Sequence, residues 1–146
     1  MKQFICLMLG VFASGIWAEA QTEAKSKKEQ PPVAVINAFQ KAFPQSQKVK
    51  WEKEKKDEYE ASFLQNGKEM SVVYTTQADL LETEVGITAS ELPESVQKYV
   101  KQHYTGKTIK ETAKITKTGG QVFYEVEIDK KDLMFDADGN FLKVEP

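Results

Sequence analysis

The chain has 146 residues, with 20 Lys+Arg against 22 Asp+Glu, one His and one Cys. Every basic residue is Lys, so the guanidinium fork is missing, and a net charge of −2 argues against the basic face that nucleic-acid recognition draws on; no nucleic-acid partner is expected. One His and one Cys exclude a His/Cys metal cage and argue against a Cys–His nucleophile pair, while the length suits one domain, or two very small ones sharing a core.

Residues 1–20 read as a signal peptide. Lys2 forms the positive start, Phe4–Trp17 the apolar stretch, and Ala18-Glu19-Ala20 the small-x-small cleavage site. The apolar stretch is short for a bilayer span, which needs roughly 20 residues, so no membrane span is expected in the mature chain. Cleavage after Ala20 would remove Cys6, leaving a periplasmic or secreted protein held together by packing without disulfides. Residues 21–30, QTEAKSKKEQ, are polar and aperiodic, a flexible leader ahead of Pro31-Pro32.

From Pro32 the pattern changes. Val35, Ile36, Phe39, Ala42 and Phe43 fall on one helix face, Pro32 suits the first turn, and Pro44 ends the run. Three period-two runs follow: Val49 and Trp51; Tyr59, Ala61 and Phe63; Met70, Val72 and Tyr74. Each alternates with polar residues, as half-buried antiparallel strands do. Asn66-Gly67 between the last two signals a tight hairpin, and Leu80–Val85 supplies a fourth strand. Leu92-Pro93 then opens a second helix carrying Val96, Tyr99, Val100 and His103 or Tyr104. Strands are expected at Ile109–Lys117, Gln121–Asp129, Asp132–Phe135 and Phe141–Glu145, joined by turn-forming residues.

The two halves repeat. Pro32 and Pro93, Val35 and Val96, Tyr74 and Phe135, and Leu80-Leu81 and Phe141-Leu142 each lie 61 residues apart; Tyr59-Glu60 and Tyr124-Glu125 lie 65 apart. The expected fold is α+β, with two tandem helix-plus-four-stranded antiparallel units (31–87 and 88–146) and both helices on one face of the sheet.

The segments Pro32-x-x-Val35, Ala38-Phe39, Phe43-Pro44, Val49-Lys50-Trp51-Glu52, Tyr59-Glu60-Ala61 and Asn66-Gly67 resemble the first unit of the PepSY-like, beta-lactamase-inhibitor-like proteins of Bacteroidetes. Leu92-Pro93-x-x-Val96, Tyr124-Glu125-Val126-Glu127 and Phe135-Asp136-Ala137-Asp138-Gly139-Asn140 resemble the second. The resemblance covers roughly residues 31 to 145. It implies an exported protein whose concave sheet face grips another protein, as in the beta-lactamase inhibitory protein.

Candidate chemistry is sparse. Asp136–Asn140 has alternating oxygen ligands before a Gly, but its spacing departs from a calcium loop and suits a hairpin turn. Glu125, Glu127 and Asp129 alternate along one strand and are expected on a solvated face. His103, near a helix C-terminus, suits the helix dipole. No enzyme, metal or cofactor is expected. The informative residues are apolar ones out of phase with the core: Leu64, Val73, Leu80, Phe123, Met134 and Leu142 are assigned to the outer face of the sheet, as a site for an unidentified protein or peptide. The expected function is an exported, non-catalytic binding module, with inhibition or regulation of an envelope enzyme through the open sheet face as its expected role. The alternative is an envelope sensor or binder of a small ligand or cation.

Overall fold

A computed structural model describes residues 30–145. The expected signal peptide and nearly all of the expected leader lie outside the described residues. Helix α1 spans Val33–Ala42, and four strands follow: β1 (Gln47–Lys55), β2 (Glu58–Gln65), β3 (Lys68–Thr75) and β4 (Leu80–Gly86). A three-residue 3₁₀ turn, Ala89–Glu91, leads into α2 (Glu94–His103). The chain then continues as β5 (Ile109–Lys117), β6 (Val122–Ile128), β7 (Lys131–Asp136) and β8 (Phe141–Glu145).

Both helices start and stop by the same chemistry. Pro32 and Pro93 precede them, and their carbonyls accept the first helical bonds, from Ile36 at 3.2 Å and Gln97 at 3.1 Å. The amides of Phe43 and Tyr104 close the last turns on Phe39 and Val100, each at 2.8 Å. The 3₁₀ turn escaped the sequence reading because three residues are too few to show a period. Its signature is the reciprocal cap Thr88-x-x-Glu91, in which the Glu91 carboxylate accepts the Thr88 amide at 2.7 Å.

The strands form one eight-stranded sheet in chain order, every neighbouring pair antiparallel. Residues directly opposite in such pairs share a face. Met70, Val85, Lys114, Tyr124 and Phe135 are opposite one another in succession from β3 to β7. Met70 packs with the α1 cluster and Phe135 belongs to the α2 cluster, so both helices lie on the same side of the sheet.

The core is not shared, contrary to expectation. Val35, Phe39, Ala61, Phe63, Val72 and Tyr74 form one buried cluster under α1. Leu92, Val96, Val100, Val126, Ile128, Leu133 and Phe135 form another under α2. Between them the helix side of β4 and β5 presents Thr83, Thr116 and the exposed Lys114 beside a half-buried Val85 that belongs to neither cluster, too little apolar surface to join the two cores. What the units share is the β4–β5 ladder.

The duplication extends to irregular features. In the β3–β4 turn the Thr75 amide bonds to the Asp79 carbonyl at 2.9 Å; in the β7–β8 turn, 61 residues on, Asp136 bonds to Asn140 at 3.0 Å. Each turn carries a positive-φ residue, Ala78 (φ 69°) and Gly139 (φ 80°). Gly139 also lies against α2, where a side chain would run into Ser95, whose hydroxyl donates to the Asp138 carbonyl at 2.9 Å. Just after each turn one residue is skipped in the register: Leu81 between Leu80 and Glu82, and Leu142 between Phe141 and Lys143.

Two sequence assignments are corrected by such bulges. Leu80 sits opposite Tyr74 and therefore on the helix side, because the bulge at Leu81 shifts the alternation by one residue. Its counterpart Phe141 does the same, stacking on Tyr99 of α2 with ring centroids 4.8 Å apart. Val49, expected in the core, is 37% exposed on edge strand β1, next to a register shift and to Lys48 at φ 56°.

Candidate docking face

With both helices on one side, the other face of the sheet is open. Register places Glu60 and Ser62 (β2), Ser71 and Val73 (β3), Glu82 and Glu84 (β4), Ala113 and Ile115 (β5), Phe123 and Glu125 (β6) and Met134 (β7) on it. Despite this, Ile115 is only 4% exposed, Glu125 5% and Glu60 6%. Side chains on an uncovered sheet reach such burial only if the sheet curls so that neighbouring strands' side chains close over them. The open face is therefore concave.

Val73, Phe123, Met134 and Leu142, four of the six expected docking residues, line one groove of about 340 Å³ on this face. Leu64 lines an adjoining groove of about 880 Å³ that reaches the 3₁₀ turn and the Asn66-Gly67 hairpin; Ser71, Glu84 and Glu125 border both grooves. Leu80 lines neither, in keeping with its position on the helix side. The sequence reading missed Ile115, which adjoins Phe123 across β5–β6 and forms part of the apolar floor. Its signal was present: in β5 the apolar Ala113 and Ile115 alternate with Thr112, Lys114 and Thr116. Only the register shows that this phase points away from the helices.

The smaller groove is acidic. Glu54, Glu60, Glu82, Glu84, Glu125 and Glu145 line it, against Lys117 and Lys143. Lys117 reaches Glu82 at 3.4 Å and lies 5.6 Å from the centroid of the Phe123 ring; Lys143 pairs with Glu145. Burial lifts the Glu60 carboxyl to about 7; the Ser71 hydroxyl, donating to it, pulls the other way, and the charges of Glu54, Glu52 and Glu82 add to the rise. Glu54 is raised too, mainly by burial, and hydrogen-bonds Glu60. A bond between two carboxyls requires a proton, which the more strongly raised Glu60 supplies.

The remaining candidates resolve structurally. Glu125 is buried rather than solvated, because β6 runs beneath the curl of the sheet; Glu127 is half-buried, and Asp129 sits in the β6–β7 turn bonded to Lys107 at 2.8 Å. The Asp136 carboxylate accepts the amides of Asp138 and Asn140 and the Asn140 side chain at 2.8–3.0 Å, so its oxygens serve the turn. His103 ends α2 with its ring 4.3 Å from that of Tyr99. Among the described residues no group of three or more His, Cys, Asp or Glu side chains is placed to hold a metal ion, and no helix is long and apolar enough to cross a membrane.

Comparison with known proteins gives this geometry a context. A family profile described as "Putative beta-lactamase-inhibitor-like, PepSY-like" matches twice, over residues 12–82 and 57–143, in keeping with tandem units. No curated protein matches the chain. Among solved structures, a putative periplasmic protein from Bacteroides eggerthii superposes with a TM-score of 0.71 at 19% identity, covering 80% of this chain and 89% of its own. A DUF2874 family protein from Bacteroides uniformis gives 0.69 at 22%, with 80% and 89% covered. A BLIP-like protein from Bacteroides fragilis gives 0.60 at 24%, with 80% and 86% covered. These likenesses establish a shared fold.

Proposed function

The chain belongs to the beta-lactamase-inhibitor-like, PepSY-like family, and from that premise we propose that it is an exported, non-catalytic binding module whose concave sheet face docks a protein or peptide. One observation carries the reading: an apolar floor of Val73, Ile115, Phe123 and Met134 lies on a curled sheet face that neither helix covers. An apolar patch rimmed by charge is how protein interaction sites present themselves. Export is supported by the sequence of residues 1–20 and by the periplasmic description of the B. eggerthii relative. Regulation of an envelope enzyme is the finer form of the proposal, supported by the inhibitor-like family alone.

The test is affinity capture from native envelope extract with the wild-type chain, Phe123→Ser, and Val33→Ser as a control on the exposed surface of α1. Phe123→Ser should lose the captured partner while costing no more than about 1 kcal/mol of stability, since the ring is only half-buried. Val33→Ser, at a side chain 72% exposed, should capture normally. Equal capture by all three would refute the docking role of this face.

A further inference from the structure

We propose that Glu54 and Glu60 form a proton-operated clasp: while they share a proton, edge strand β1 is fastened as one wall of the smaller groove, and loss of that proton loosens it. Its bearing on docking rests on the reading above, whereas the clasp itself is a property of the free chain. Geometry sets it up. Glu60, in β2, is 6% exposed although it faces the open side of the sheet, and Glu52 stands directly opposite it on β1. Glu54 is the residue skipped in the register between Lys53 and Lys55, and it lines the groove together with Glu60 and Glu82. A carboxyl this buried among other carboxyls gives up its charge rather than share the site with theirs. The proton it keeps is donated to Glu54.

The surrounding groups leave the pair to hold itself. Ser71 on β3 donates to Glu60, and the charged side chains that face it from β1 and β4 are Glu52 and Glu82, with Glu84 next along the same face of β4. Among the cations, Lys55 is bonded to Glu58 at 3.0 Å and Lys117 to Glu82 at 3.4 Å, while Lys50 lies further along the ladder, opposite Ser62. Once the proton passes to solvent, two carboxylates face each other in a partly dehydrated groove, and the strand held least firmly gives way. That strand is β1. It is paired on one side only and its register is broken near both ends, whereas β2 and β3 are each laddered on both sides. Trp51 packs edge-on against Phe39 of α1, with ring centroids 5.3 Å apart, so the movement is confined to the stretch beyond it, residues 52–55.

The experiment is backbone NMR relaxation on the purified chain, without a partner, for wild type, Glu60→Gln and Glu54→Gln. In wild type the order parameters of residues 52–55 should stand near about 0.85 at about pH 6 and fall below about 0.6 at about pH 8, while Val72 and Val126 on inner strands stay rigid. Both variants should keep β1 ordered at both pH values, since each replaces one carboxyl with an amide that donates to the other. Carbon NMR of the Glu60 carboxyl should still show it titrating in Glu54→Gln, which separates the clasp from the ionisation itself. If β1 keeps its order at both pH values in wild type, or loosens equally in Glu60→Gln, the clasp is refuted. A Glu60 carboxyl that titrates in wild type while β1 stays rigid refutes it as well. In each of these cases capture from the envelope extract decides the docking reading separately.

Discussion

At the scale of single residues, the informative side chain is Glu60. A carboxyl facing the open side of a sheet would ordinarily be solvated, yet this one is buried beside Ser71 and Glu54, and its proton is held up to about 7 against an ordinary 4.5. The folded chain thus binds that proton more tightly than the unfolded chain. The resulting stabilisation is complete below pH 4.5 and is lost as pH climbs through 7, a change on the order of 2–3 kcal/mol. Glu60→Gln keeps the shape and a neutral side chain, so its thermal stability should be flatter than wild type between pH 5 and 8 and higher at pH 8. Parallel melting curves for the two proteins across this range would show that Glu60 is not the buried acid. The half-buried Asp136 is shifted downward by hydrogen bonds from the Asn140 side chain and from backbone amides, and the exposed Glu91 by the amide and hydroxyl of Thr88, so their contributions change only in more acidic solution.

At the scale of elements, alternation made most of the fold legible. Phe39, Val96, Val126 and Leu133 each declare a face by period, and the prolines and Asn-Gly mark where it is interrupted. Legibility failed where one residue breaks the period. The bulge at Leu81 turned Leu80 to the helix side, and the positive φ of Lys48 beside Val49 marks another irregular stretch; neither has a local signal strong enough to override alternation. Burial on the open face failed for a different reason. Curvature comes from pairing across eight strands, so the fate of Ile115 and Glu125 depends on neighbours far away in sequence. The β6–β7 hairpin stands between these cases: Asp129 and Lys130 both take positive φ without a glycine, in a turn recognisable only from its length and its polar residues.

At the scale of the whole molecule, two separate apolar cores hang from one continuous sheet. Phe39 is nearly fully buried against Phe43, Trp51 and Phe63, with ring centroids 5.0–5.4 Å away, and Phe135 holds the matching place in the other half against Tyr99 and Phe141. Truncating either to Ala should cost about 3–5 kcal/mol. Because the cores are distinct, the damage should be regional. Native-state hydrogen exchange is expected to quicken mainly in β1–β3 for Phe39→Ala and mainly in β6–β8 for Phe135→Ala. A uniform increase in both variants would mean that the ladder between β4 and β5 couples the halves into one cooperative unit.

That ladder also sets the shape of the surface on which the functional reading depends. It turns the helices to one side and curls the other into a groove with an apolar floor and acidic walls. Methyl NMR distinguishes the two sides directly, because Val73, Ile115 and Met134 report on the groove while Val35, Val96 and Leu133 report on the cores beneath the helices. Titrating the partner captured from envelope extract into the labelled chain should move the first set and leave the second in place; shifts centred on α1 or α2, with the groove methyls unmoved, would contradict the account.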